Sequence, residues 1–229
     1  MKLLAVETAT EACSAALYLD GEVIERYQVS PRDHAQLILP MVDGLMSEAG
    51  LQLADLDALA FGRGPGSFTG VRIATGVIHG IALGSELRVV PVSTLAAVAQ
   101  EFFDRNGERC DTAFTAMDAR MGEIYFAVYR RDASGFAELL GEEKVMPAES
   151  VIFPDVYGAG IGTGWGVYQT VLADKLAGQI DFIETGNLPR AGAIARLGAR
   201  GFAQGLAVDI EDAQPVYLRN KVAKKESER

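Results

Sequence analysis

A chain of 229 residues, 49% apolar and 23% charged, has the make-up of a globular protein of one large or two small domains, not of a fibrous or unstructured one. Its formal charge is −10, with 7 basic against 13 acidic residues in positions 1–105 and 14 against 18 in 106–229; this balance disfavours gripping a phosphate backbone alone. The N-terminal "MKLLAVETAT" is too short in apolar residues for a signal peptide, and no run of about 18 apolar residues occurs, so a cytoplasmic protein without membrane contact is expected.

Along the chain, Lys2–Thr8 reads as a buried strand, and "CSAALYL" and "EVIERYQV" flank Asp20-Gly21, a strong hairpin signal. Ile38, Met41, Val42, Leu45, Met46 and Ala49 recur at helical spacing between a cap at Asp33 and a stop at Gly50, with Pro40 bending the rod. "LDALAFG" is the next strand. A glycine turn follows, then a helix to about Gly84, the strand "LRVVPV", and a helix from Ser93 to about Asp104. The polar "DRNGERCD" marks a division, placing an N-terminal lobe at 1–105 and a smaller C-terminal lobe at 106–229. In the second lobe "TAFTAMDA", "EIYFAVYRR" and "IDFIET" read as strands. "FAELLGEEKVM" is ambiguous, "YGAGIGTGWG" looks like a loop, and "PRAGAIARLGARGFAQG" is a helix with Pro189 near its first turn. The end, Arg219–Arg229, reads as a basic, solvated tail.

The turn "FGRGPGSFTG" poses the main chemical question. A phosphate loop of the GxxxxGK[ST] type needs a lysine, and none is present. Ser67 and Thr69 are good helix caps, so the turn reads first as geometry, with an anion on the helix amides as the alternative. Behind it, Gly76, Gly80 and Gly84 repeat every four residues in a helix apolar around most of its circumference. Interior glycines cost about 1 kcal/mol each against alanine, and close approach of another helix offsets part of that. Either the chain buries this helix itself or a partner covers it; the partner is the expectation.

Catalytic and metal signals are sparse. His34 and His79 stand alone, Cys13 and Cys110 form no CxxC pair, and no GxSxG elbow exists, so neither catalytic nor metal-ligating residues are assigned. "ETATEACS" (Glu7–Ser14) lacks the glycines that would wrap a phosphate, and Glu7 reads as a partly exposed structural residue, with a hydrated metal as the alternative. Asp118 and Arg120, in "MDARMGEIYFAVY", are spaced to pair with each other or with a partner.

Together "LAVETAT", "GPGSFTGVRIATG", "DARMGEIYFAVY" and "PVYLRN" resemble the TsaB (YeaZ) family over nearly the whole chain. The resemblance implies an α/β, actin-like ATPase fold of the ribonuclease H-like class (ASKHA), with two lobes, the second reduced. It implies a non-catalytic subunit that pairs with TsaD through helices of the first lobe, self-pairs as a homodimer when alone, is joined by the ATPase TsaE, and meets tRNA only through the complex. The reaction, transfer of threonylcarbamoyl from its adenylate to an adenine beside the anticodon, would be TsaD's. TsaD-like proteins carry a His-x-x-x-His metal pair where this chain has Thr94 and Val98. No cofactor is firmly implied, weak nucleotide binding at the partner interface being the open case. Leu37, Met41, Leu45, Ile73, Val77 and Gly80 are the expected interface residues. The alternatives are an ATP-binding actin-like phosphotransferase and a metallopeptidase-like protein.

Overall fold

β1 (Lys2–Glu7) is apolar on both faces because it lies at the centre of a sheet covered on both sides. It pairs antiparallel with β2 (Ala12–Leu19), which turns at Asp20-Gly21 into β3 (Glu22–Val29). Both turn residues have positive φ, 51° and 109°, as a tight hairpin requires. On its other side β1 runs parallel to β4 (Ala58–Gly62), and β4 to β5 (Val89–Val92). The order is β3-β2-β1-β4-β5. Crossover helices α1 (His34–Ala49) and α2 (Phe68–Ser85) cover one face. The structure is a computed structural model, and it describes residues 1–176 and 178–219.

After α3 (Thr94–Asn106) the same plan is repeated. β6 (Thr112–Asp118) pairs antiparallel with β7 (Glu123–Arg131), and β7 with β8 (Ala137–Pro147). β9 (Gly158–Ile161) joins β6 in parallel and β10 (Ile180–Glu184) joins β9, giving β10-β9-β6-β7-β8. The sheets have equal strand number, so the reduction is in helices. Between β8 and β9, where the first half has α1, there is one short 3₁₀ turn, Ala148–Ser150. The ambiguous segment is thus β8, an edge strand whose Gly141 has φ 88° and whose pairing slips between Phe126 and Val128. The segment read as a loop holds β9 and the start of α4 (Thr163–Leu176). Gly160 and Gly164 there make room for the Trp165 ring and for Ala116, so the glycines serve packing.

α5 (Ala191–Ala203) corrects the division at 105/106. It follows the second sheet in sequence but packs on the first, with Ala191, Ile194 and Ala195 against Leu3, Ala5, Ala58 and Ala60. Its N-terminal amides are received there: Ala191 N donates to Ser14 Oγ (2.8 Å) and Gly192 N to Glu25 Oε1 (2.9 Å), while Arg190 forks onto Glu25. α3, conversely, buries Leu95, Val98, Phe102 and Phe103 on the second sheet. The result is five layers: α1 and α2, first sheet, α5 with α3, second sheet, α4. Among the described residues no helix is long and apolar enough to cross a membrane.

Candidate functional site

Two surfaces are open to a ligand or partner, the cleft between the lobes and the outward face of α2. The cleft, about 810 Å³, opens where the β1–β2 turn, the N-terminus of α2, the β6–β7 turn and the N-terminus of α4 converge. Its walls include Thr10, Ser67, Phe68, Arg72, Asp118, Arg120, Tyr125 and Thr163, and the C-terminal segment Val216–Arg219 crosses it.

The glycine turn at its edge is closed against the β1–β2 turn. A Cβ on Gly66 would lie 2.5 Å from the Ala9 carbonyl, one on Gly70 would overlap the Thr8 carbonyl, and one on Gly62 the Glu7 carboxylate. Ser67 N donates to Ala9 O (2.7 Å), Gly70 N to Ser67 Oγ (3.3 Å), and Thr8 Oγ1 to Gly70 O (2.7 Å). The amides of Ser67 and Gly70 are therefore engaged inside the chain, and the two first-lobe turns are locked together.

Glu7 corrects its expected exposure: it is 0% exposed. Oε1 accepts from Ala9 N (2.5 Å) and Oε2 from Thr94 Oγ1 (3.3 Å). Burial dominates over these bonds and pushes the carboxyl up to about 7. Thr94 is consumed by Glu7, and Val98 is buried on the second sheet, so the positions of the TsaD-like histidine pair hold no metal ligand. Among the described residues no three His, Cys, Asp or Glu side chains gather as a metal site. His34 clamps the β1–β2 turn, Nε2 lying 2.8 Å from Thr10 O, and His79 holds the C-terminal segment through Ala213 O (2.7 Å). Asp118 and Arg120 pair with each other, 3.1 Å apart, on a hairpin whose Arg120, Met121 and Gly122 all have positive φ.

The outward face of α2 is different in kind. Gly76, Gly80 and Gly84 are exposed, and a Cβ added at any of them meets nothing within 4 Å. Leu83 beside them is 76% exposed. Ile73 and Val77, with Leu37 and Met41 of α1, are half-buried where the two helices meet. Leu45 is the exception among the expected interface residues. At 100° per residue it lies about 80° round α1 from Leu37, beside Ile38, and it packs against the sheet at 1% exposure. The sequence pattern could not separate these faces because α1 is apolar on more than one side. Phe68 and Tyr217, which sequence reasoning left out, add exposed aromatic surface at the start of the same ridge. The basic-tail expectation, beyond Arg219, falls outside the described residues.

Residues 23–222 match the family model described as "TsaD: tRNA N6-adenosine threonylcarbamoyltransferase". The "tRNA threonylcarbamoyladenosine biosynthesis protein TsaB" of Escherichia coli (strain K12) is 43% identical over 97% of this chain and 96% of its own length. The protein of the same name from Haemophilus influenzae is 37% identical over 97% and 95%. A solved structure described as "YeaZ from Pseudomonas aeruginosa" superposes with a TM-score of 0.88 at 42% identity, covering 95% of this chain and 99% of that one.

Proposed function

The chain belongs to the TsaB family of tRNA threonylcarbamoyladenosine biosynthesis proteins, and from that premise we propose that it is a non-catalytic subunit that holds a TsaD-type transferase in a competent arrangement. The chemistry of the pair, transfer of threonylcarbamoyl from threonylcarbamoyl-AMP to an adenine beside the anticodon, is then TsaD's, with TsaE docking on the assembled pair and tRNA engaged by the complex. Alone, the chain pairs with itself through the same face.

The observation that carries the reading is the bare glycine ridge of α2. Three exposed glycines in a helix cost up to about 1 kcal/mol each in helix stability, and no described residue packs on them. A partner helix lying along Gly76, Gly80 and Gly84 would recover that cost through close packing, flanked by Leu37, Met41, Ile73 and Val77. The chain's acidic balance favours tRNA contact through the complex over contact by this subunit alone.

The test is co-elution of the purified chain with TsaD and TsaE, with and without ATP. Stable association with TsaD is expected, and Gly80→Leu should abolish it while leaving the melting temperature of the monomer within a few degrees. Undiminished co-elution of that variant would refute the ridge as the contact. The phosphotransferase alternative has the interlobe cleft in its favour and the locked glycine turn against it. It requires micromolar ATP binding by the isolated chain, which calorimetry reads directly.

A further inference from the structure

The ridge does not begin with a glycine. In steps of four residues it runs Phe68, Arg72, Gly76, Gly80, Gly84, so its N-terminal end carries an aromatic ring and a cation. The Arg72 guanidinium lies 3.3 Å from the centre of the Phe68 ring and 4.8 Å from that of Tyr217, whose rings are 5.9 Å apart. One nitrogen, Nη1, donates to Phe68 O (3.1 Å). The other two arginines lining the cleft are neutralised, Arg120 by Asp118 and Arg219 by Glu123. Arg72 has no ion-pair partner among the described residues.

This arrangement is built rather than incidental. Tyr217 reaches Arg72 because the C-terminal segment is pinned beside it: His79 to Ala213 O, Val216 N to Arg63 O (2.8 Å), and Arg219 to the β6–β7 hairpin through Glu123. Phe68 is 61% exposed and Tyr217 42%, a large apolar expense in water for a monomer. Two rings restrict the guanidinium, so fewer rotamers are lost when a ligand binds its free edge. A planar fork of N–H donors matches an oxyanion in two-point geometry. Aromatic rings around an arginine are also the composition of an interface hot spot.

We infer that Phe68, Arg72 and Tyr217 form the polar anchor of the partner interface, taking an aspartate or glutamate carboxylate of the protein that lies along the glycine ridge. The inference rests on the reading of α2 as the partner face, with which the cluster is continuous. A carboxylate is preferred to a nucleic-acid phosphate because the flanking rings and bare glycines favour a packed protein surface, and because the chain as a whole repels polyanions. Tyr217 is a positioning residue: it acts by holding Arg72.

The experiment is calorimetric titration of the full chain with purified TsaD from the same organism at low and moderate salt, repeated with tRNA alone. Arg72→Ala should weaken TsaD binding by about 10- to 100-fold and flatten its salt dependence, and Arg72→Lys should recover only part of the loss. Tyr217→Ala should cost less than Arg72→Ala and add little to it in the double variant, the signature of one unit. Gly80→Leu separates the two readings. Loss of binding in Gly80→Leu with Arg72→Ala within twofold of wild type overturns the anchor and leaves the ridge. Wild-type binding by both variants overturns both. An Arg72→Ala chain that loses tRNA affinity but keeps TsaD affinity shows a phosphate site and overturns the carboxylate.

Discussion

Burying a carboxyl without a cation beside it changes when it holds its proton, and Glu7 is the case in this protein. Its ordinary value of 4.5 rises to about 7 in the folded chain because desolvation outweighs the bonds from Ala9, Thr94 and Thr8. The folded state therefore binds a proton more tightly than the unfolded chain between about pH 4.5 and 7. Glu7's contribution to stability is fully present below that window and is lost as pH rises through it. Glu7→Gln keeps an acceptor for Ala9 N and offers Thr94 Oγ1 a donor without a charge. The variant should be more stable than wild type at pH 8, on the order of 3 kcal/mol for a shift of this size, and nearly equal at pH 4.5. Urea unfolding at the two pH values checks this; parallel stability curves would show that the carboxyl is not responsible. Nothing in "ETATEACS" announces such burial. Thr8 and Ser14 nearby are also fully buried, so polar residues in this strand pair mark internal bonds rather than a solvated turn.

Two glycines six residues apart in α2 serve opposite purposes. Gly70 lies under the Thr8 carbonyl, and a Cβ there collides with backbone that cannot swing aside. Gly70→Ala should cost several kcal/mol, in the range of severe core changes. Gly76 has open space around it, so Gly76→Ala should stabilise the isolated chain by about 0.5–1 kcal/mol. Thermal melts of both variants test the contrast, and equal effects would contradict the assignment of the two faces. Residue identity alone identifies both as glycine in a helix; only their neighbours divide them. The helix itself was legible: Ser67 caps it as expected, and it ends one residue past Gly84, at Ser85, with Glu86 in the left-handed region. α4 was not legible, because Gly164 and Gly166 dilute its apolar pattern and its backbone kinks at Tyr168.

The whole molecule is a duplicated α/β plan in which each sheet is covered on its inner face by the helix that ends the other half. α5 supplies the inner cover of the first sheet, and Asp132–Arg200 and Asp104–Arg196 tie it to the second-lobe side and to α3. A fragment of residues 1–105 would leave Leu3, Ala5, Ala16, Ala58 and Ala60 without cover. Such a fragment should bind a hydrophobic dye and lack a cooperative melt, in the manner of a loosely packed state. A sharp transition from it would show α5 to be dispensable. The missing counterpart of α1 in the second half makes the outer layers unequal, with two helices on the first lobe and one on the second. The proposed partner face is therefore on the lobe that keeps both.

Local pattern settled the strands, serine caps and turns of the first half, because strand alternation, helical spacing and Asp-Gly or serine at element ends report short-range geometry. The Asp33 carboxylate, expected to cap α1, instead accepts from Ser30 Oγ and makes no cap bond. Local pattern also marked α2 as carrying more apolar surface and glycine than one sheet face uses. Tertiary packing decided that Glu7 is sealed from water, that Leu45 faces the sheet while Met41 is only half-buried, and that α5, beginning at Ala191, belongs with a sheet whose last strand ends at Val92. The physical reason is the same in each case: a side chain's period is written in its neighbours along the chain, whereas what covers it depends on elements brought together from far apart, and burial, proton affinity and free surface all follow from that cover.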